Sequence, residues 1–293
     1  MDQAEQLRNV IKMHQSVSMT SRVITVTSGK GGVGKTSLSV NLALQLRRQG
    51  KKVIILDADF GLANIEVMMG VRPTANLADL MFRGKRLKDI ITTGPEGVGF
   101  ISGGSGIKEL ASMTRDQLFY VMQSLAELDS IADVIIIDTG AGIADSVLDF
   151  AAASEEILLV VTPEPTSITD AYALLKTLNN TQEFQSSKTE IRLVANRVKN
   201  QQEGQEIFDK VSIVAEKFLN IKLEYLGYIY NDDCVSKSII QQKPLLMAYP
   251  NSPAAKSIIR FSDTLGANTT NSEASEKGIK KFFTTLIHAR MKK

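Results

Sequence analysis

Gly29-Lys30-Gly31-Gly32-Val33-Gly34-Lys35-Thr36 is the stretch on which the fold turns. A short apolar run, Val23 to Ser28, leads into it, and a helical pattern, Ser37 to Arg48, leads out. The spacing fits G-x-x-x-x-G-K-[ST], a phosphate-cradling loop between a strand and a helix. Glycines let successive backbone N–H groups turn inward around an anion. The helix that follows aims its positive end at the same place. Lys35 is long enough to reach β- and γ-phosphates, and the Thr36 hydroxyl can ligate Mg²⁺. Gly29 through Ser37 are therefore the expected nucleotide contacts. The bland alternative, a flexible glycine turn, leaves the strand–loop–helix context unexplained.

Further strands follow the same rule. Lys52 to Asp57 and Asp133 to Asp138 are continuous apolar runs, each ending in a carboxylate. Such runs read as strands buried on both faces. In an open α/β sheet the strand C-termini face the ligand crevice, so Asp57, Asp59 and Asp138 belong near the phosphates. Carboxylates there can orient an attacking water and hold the water shell of magnesium. The alternative for Asp57 or Asp59 alone is a helix cap. Strands are also expected at Val98 to Ser102, Ile157 to Thr162, Glu190 to Arg197 and Tyr225 to Tyr230. Helices are expected at Glu66 to Val71, Leu77 to Phe82, Arg86 to Ile91, Thr114 to Leu128 and Thr166 to Leu178. Alternating strands and helices make a mainly parallel central sheet with helices on both faces. Asp149 reads as a solvated helix residue, and Asp145 is left open. Asn231-Asp232-Asp233 fits a turn or a base contact equally well.

Composition narrows the classes. The chain has 293 residues, 43% hydrophobic and 23% charged, with a net charge of +2. That is ordinary for a globular protein, and the charge is too small to imply nucleic acid. A single cysteine, Cys234, supplies no internal disulfide and no thiolate cluster. A reducing cytosol is the expected home. The N-terminus lacks an apolar signal core, and no apolar stretch approaches the roughly 20 residues of a membrane span.

The two ends differ from the body. Residues 1–20 carry Leu7, Val10 and Ile11 at helical spacing, a marginal helix that needs its own domain or a partner to dock on. Residues 21–265 are the expected catalytic domain, and 266–277 a polar linker. In 278–293, Ile279, Phe282, Phe283, Leu286 and Ile287 form an i, i+3, i+4 stripe flanked by lysines and Arg290. A basic amphipathic helix of this kind suits an anionic membrane surface. A last helix docked on the body is the other reading.

The loop K-G-G-x-G-K-[ST], with Lys30 as its extra lysine, resembles the deviant Walker A motif of the MinD/ParA ATPases. That resemblance implies ATP/ADP and Mg²⁺ as ligands and a nucleotide-sandwich homodimer when ATP is bound. Lys30 would then reach the partner's nucleotide. Asp57-Ala-Asp-Phe-Gly-Leu-Ala-Asn64 is similar to switch I of the family, which casts Lys30, Lys35 and Asp59 as catalytic, Asp59 positioning the attacking water. Asp138 matches Walker B, so Thr36, Asp57 and Asp138 are the implied metal set, partly through water. Asn196 matches the residue that reads adenine, with Arg197 beside it.

The arm Asp2-Gln3-Ala4-Glu5-Gln6-Leu7-Arg8, with Thr139-Gly140-Ala141-Gly142 after Asp138, resembles the flagellar-regulator branch (FlhG, also FleN or YlxH). This implies control of flagellum number and placement by a slow, dimerisation-dependent ATPase. It also implies reversible attachment to the inner face of the cell membrane through anionic lipids, by a tail like that of MinD. Implied partners are flagellar basal-body or C-ring components and an FlhF-type signal-recognition GTPase, stimulated through Gln3, Leu7 and Arg8; nucleic acid is not expected. The alternatives are a MinD-type division-site regulator, which has no use for the arm, and a ParA-type DNA-partitioning ATPase, which wants a basic folded face.

Overall fold

The computed structural model describes residues 20–59, 64–104, 115–267 and 278–291. The arm residues Gln3, Leu7 and Arg8 and residues 268–277 of the expected linker lie outside the described residues, while Gly266 and Ala267, also expected in the linker, belong to the helix Pro253–Ala267. In chain order the elements are β1 (Arg22–Thr27), α1 (Lys35–Arg48), β2 (Val53–Ala58), α2 (Asn64–Met69), α3 (Leu77–Phe82), α4 (Leu87–Ile90), β3 (Thr92–Thr93), β4 (Gly99–Ile101) and α5 (Arg115–Ala126). They continue with α6 (Leu128–Ile131), β5 (Val134–Thr139), α7 (Asp145–Ala153), β6 (Glu156–Val161), α8 (Pro165–Asn179), β7 (Glu190–Val198) and α9 (Gln201–Leu219). The last are β8 (Leu223–Tyr230), α10 (Asp233–Ile240), α11 (Leu245–Ala248), α12 (Pro253–Ala267) and α13 (Ile279–Met291).

Eight strands form one sheet in the order β3-β4-β2-β5-β1-β6-β7-β8. Every pairing is parallel except β3 with β4. The apolar runs explain this, since parallel strands covered on both faces need no alternation. Helices α1, α2, α11 and α12 bury one face of the sheet. The other face is covered by α3 to α6 and α13 over β2, β4 and β5, and by α7 to α9 farther along. The expected mainly parallel α/β architecture is therefore present. Sequence reading passed over α9, α10, α11 and α12, and the two-residue β3.

Register fixes the site. β2 and β5 pair with Asp57 opposite Asp138, and β1 pairs with β5 so that Val26 also meets Asp138. The carboxylates thus emerge at one level, beside the loop after β1. At the opposite strand ends, the Glu156 carboxylate takes both Arg22 Nε and Nη2 at 2.7 Å and Arg192 Nη1 at 2.5 Å. Arg192 also contacts Glu190, and its Nε lies 3.3 Å from Glu224. Arg192 is 4% exposed and Glu156 is 7% exposed, so these charges survive burial only by pairing with one another.

The C-terminal stripe is where the structure redirects expectation. Ile279, Phe282, Phe283, Leu286 and Ile287 are all buried in the core beside α5 and α7 rather than presented outward. Phe282 stacks obliquely on Phe150 at 5.8 Å between ring centroids. The stripe reads as lipid-facing or core-facing alike, because periodicity reports an apolar face and not what covers it. Residues 278–291 are here part of the body. The same packing accounts for Asp149, expected in solvent but 2% exposed, since α7 lies between the sheet, α8 and α13.

Asp129 of α6 fastens this helix. Its Oδ1 accepts from the Ile279 N–H at 3.0 Å and its Oδ2 from the Lys280 N–H at 3.4 Å. Oδ1 also accepts the Ser21 N–H at 3.0 Å and the Ser21 hydroxyl. One carboxylate thus caps α13 and pins the start of β1. Removing an acceptor that serves several donors costs about 1–3 kcal/mol. Asp129→Ala should therefore raise amide exchange across α13 well before global unfolding, with Asp129→Asn intermediate. Unchanged exchange in α13 would show that apolar packing alone holds it.

Candidate functional site

The loop between β1 and α1 runs through Gly32 and Gly34 at φ of +75° and +100°. A side chain at Gly34 would meet the Asn196 amide nitrogen at 2.4 Å, and one at Gly29 would meet the Asp170 carbonyl oxygen at 2.1 Å. Gly34 thus supplies a left-handed turn that other residues resist, and Gly29 lets α8 approach closely. The loop opens directly into the first turn of α1, where the orphan N–H groups are.

Gly31, Gly32, Gly34, Lys35, Thr36, Ser37, Asp59, Asn196 and Arg197 line a cavity of about 780 Å³. The expected loop contacts are thereby brought together with Asp59 and the end of β7. Gly29, Lys30 and Val33, also expected as nucleotide contacts, are not among the residues lining the cavity; Val33 is 2% exposed and its carbonyl accepts from Asn196. Lys35 is buried, and its Nζ donates to Ser28 Oγ at 3.0 Å. Burial lowers its ammonium below the ordinary lysine value, while the charges of Asp138 and Asp59 oppose that fall. The Ser28 hydroxyl in turn donates to the Lys30 carbonyl at 2.7 Å.

The carboxylates are unusual. Asp138 is fully buried, and its Oδ1 accepts from the Ser39 hydroxyl at 2.9 Å. Its Oδ2 is buried without a hydrogen-bond partner. Burial pushes its carboxyl up to about 6, with the Thr36 and Ser39 hydroxyls and Lys35 pulling the other way. Asp57 is pushed up to about 8, by burial first and then by the charge of Asp138. Its Oδ1 accepts the Asp59 N–H at 3.1 Å, and Asp59 Oδ2 accepts from the Asn64 amide at 3.2 Å.

Two adjacent buried carboxyls, one with a bare oxygen, suit a hydrated divalent cation. Among the described residues no three His, Cys, Asp or Glu side chains converge as a metal cage. Magnesium keeps most of its waters and binds through few protein ligands plus phosphates, so it needs no such cage. Thr36 would hold the ion, with Asp57 and Asp138 acting on its waters. The ion would neutralise phosphate charge.

Asn196 and Arg197 do something sequence reading did not foresee. Asn196 Nδ2 donates to the Val33 carbonyl at 2.6 Å, and its Oδ1 accepts the Arg197 N–H at 2.9 Å. Arg197 sits at φ +61° and its Nη2 donates to the Gly32 carbonyl at 2.8 Å. Both therefore brace the phosphate loop from behind while lining the cavity. Lys30 turns to its own chain: its Nζ donates to Glu164 Oε2 at 2.5 Å and to Thr166 Oγ1 at 2.7 Å.

Asn231 and Asp232, read from the sequence as a turn or a base contact, do line the cavity, but the apolar part of its far wall was not anticipated. Tyr230, Val235 and Ile239 form it, with Met68 and Ile258. The i, i+4 pair Val235 and Ile239 was its only sequence signal. Asp232, left between turn and base contact, caps α10 by accepting the Cys234 N–H at 2.9 Å and also takes the Ala254 N–H at 3.1 Å. Ser39, three to four residues after Lys35 and Thr36 on one helix face, could have been inferred from that spacing.

Comparison with known proteins agrees with this site. The ParA family model, described as NUBPL iron-transfer P-loop NTPase, matches residues 19–265. The antiactivator FleN of Pseudomonas aeruginosa is 43% identical over 80% of this chain and 82% of its own length. The flagellum site-determining protein YlxH of Helicobacter pylori is 33% identical over 98% of both chains. Among solved structures, the MinD cell division protein of Aquifex aeolicus superposes with a TM-score of 0.67 at 22% identity, covering 86% of this chain and 100% of that one.

The carboxyl pair gives a pH prediction. Raised folded-state values mean that the folded chain keeps protons the unfolded chain has released. Stability without metal or nucleotide should fall as pH rises from the ordinary 3.8 of Asp57 through about 8. Asp57→Asn should flatten that slope in thermal melts with chelator at about pH 5.5 and about pH 8. A wild-type slope in the variant would assign the dependence elsewhere.

Proposed function

For a chain that belongs to the ParA/MinD family of P-loop NTPases, we propose an ATP-driven dimerisation switch that regulates flagellum number and placement. The observation that carries the ATPase reading is the convergence of Lys35, Thr36, Asp57, Asp59 and Asp138 at the ends of β1, β2 and β5. The flagellar names of the relatives FleN and YlxH support the cellular role.

The residues divide the work by position. Loop N–H groups from Gly31 to Thr36 bind phosphate oxygens, and Lys35 leaves Ser28 to neutralise their charge. Thr36 would hold the magnesium, with Asp57 and Asp138 accepting from its waters, and the ion would supply charge neutralisation at the phosphates. Asp59, tethered by Asn64, orients the attacking water on the cavity side. Water adds to the terminal phosphorus and the bond to the bridging oxygen breaks, giving ADP and phosphate. Adenine lies along Tyr230, Val235 and Ile239, with Asn196 and Arg197 at its edge. Lys30 reaches across to the partner's phosphates in the ATP-bound homodimer, so turnover is slow and needs assembly.

Membrane attachment through Ile279, Phe282, Phe283, Leu286 and Ile287 first requires α13 to leave the core, because its apolar face is already covered. Lys280 is exposed even when the helix is docked, whereas Lys281 pairs with Glu155 at 2.6 Å and would have to exchange that carboxylate for lipid. No described helix is long and apolar enough to cross a membrane, so attachment would be peripheral, on the inner leaflet. The arm residues Gln3, Leu7 and Arg8 engage an FlhF-type GTPase, and other partners are basal-body or C-ring components. The DQAEQLR resemblance is the support for the arm.

Asp59→Ala should cut ATP turnover about 100-fold or more while nucleotide still binds; wild-type turnover would remove Asp59 from the chemistry. Sedimentation with anionic vesicles should bring down the full chain with ATP and magnesium but not with ADP. A chain ending at Ala274 should pellet no more with vesicles than without them under both conditions, its fold checked by nucleotide binding. Pelleting that ignores nucleotide would separate the membrane contact from the switch. No pelleting at all would leave α13 as a core helix.

A further inference from the structure

The place where Lys30 rests is a built site. Glu164 stands between Pro163 and Pro165, and Pro165 and Thr166 open α8. Both prolines fix φ, and Pro165 also restricts Glu164 to extended backbone. The loop is tied from below, since the Thr162 N–H donates to the Ser167 hydroxyl at 3.0 Å with both residues buried. On that fixed backbone Glu164 Oε2 and Thr166 Oγ1 form a clip for one ammonium, at 2.5 Å and 2.7 Å. The backbone of Lys30 is fixed as well, its carbonyl accepting from Ser28, which holds Lys35 Nζ. The Lys30 side chain is about one-third exposed and that of Glu164 half exposed, so the pair can part while both backbones stay in place.

We propose that Glu164 and Thr166 hold Lys30 within its own chain and compete with a partner's terminal phosphate for it, so that this clip sets the nucleotide threshold for dimerisation. The inference rests on the reading that Lys30 serves the opposite subunit. A phosphate oxyanion is the matched replacement for a carboxylate. A diphosphate ends one group short, so the clip favours separate chains when ADP is bound. A dimer must open two clips. An exposed ion pair is a weak restraint, about threefold in an equilibrium constant, and two together give about tenfold.

The test is sedimentation equilibrium of the full chain with magnesium and a non-hydrolysable ATP analogue, with thermal melts to check each fold. Glu164→Gln keeps the shape and removes the charge. It should tighten the dimer dissociation constant about tenfold, and Thr166→Val should act in the same direction by less. Lys30→Ala should abolish the dimer, and adding Glu164→Gln to it should restore nothing. A Glu164→Gln dimer as weak as wild type or weaker, with Lys30→Ala monomeric, overturns the clip and leaves the trans lysine in place. Lys30→Ala dimerising like wild type overturns the trans reading and the clip with it. A gain from Glu164→Gln that persists without Lys30 also overturns the clip, since it would then be general charge repulsion.

Discussion

Two carboxylates that cannot both be comfortable, Asp57 and Asp138, sit side by side at the ends of neighbouring strands. Register alone puts them there, and neither can retreat without slipping a buried strand. A one-residue slip would turn each strand's side chains to the wrong face of a sheet covered on both sides. The fold therefore carries an unbalanced negative site as the consequence of its best-packed region. The surrounding parts make sense as responses to it: a buried ammonium at Lys35, a glycine loop presenting N–H groups, and helix α1 starting at the same point. A ligand that brings positive charge to the carboxyls and negative charge to the loop settles both at once, and by mass action stabilises whichever conformation holds it.

The loop is not free-standing. Arg197 and Asn196 grip its carbonyls from the end of β7, and α8 lies against Gly29 closely enough to exclude any side chain there. The phosphate loop, Asn196 with Arg197, and the resting place of Lys30 are thus joined to one another, carried by β1, β7 and the start of α8.

Much of this was legible from the chain itself. Apolar runs ending in Asp57 and Asp138 announced buried parallel strands and their chemistry together, because a carboxylate at a strand end has few places to go. The glycine spacing announced the loop. What stayed hidden depended on tertiary partners. Asn196 and Arg197 have side chains suited equally to a base and to a backbone carbonyl, and only the fold brings Gly32 and Val33 to them. Glu164 lies 134 positions from Lys30, too far for any local pattern to pair them. The stripe of α13 gave its period correctly but not its surroundings, and Asp149 was misplaced for the same reason, since the helix that helps cover it comes from the far end of the chain.

That last arrangement bears on how the protein comes into being. The sheet, α5 and α7 are all synthesised before α13, and chains fold progressively from the N-terminal side during synthesis. Until Ile279 to Ile287 emerge, the apolar surface beside Phe150 has no cover, and Asp129 can grip only the Ser21 end of its clasp. The body thus spends the close of its translation with an open hydrophobic trough, a natural binding place for chaperones and a point of exposure to aggregation. A nonsense or frameshift lesion ahead of α13 would leave that trough open for the life of the molecule.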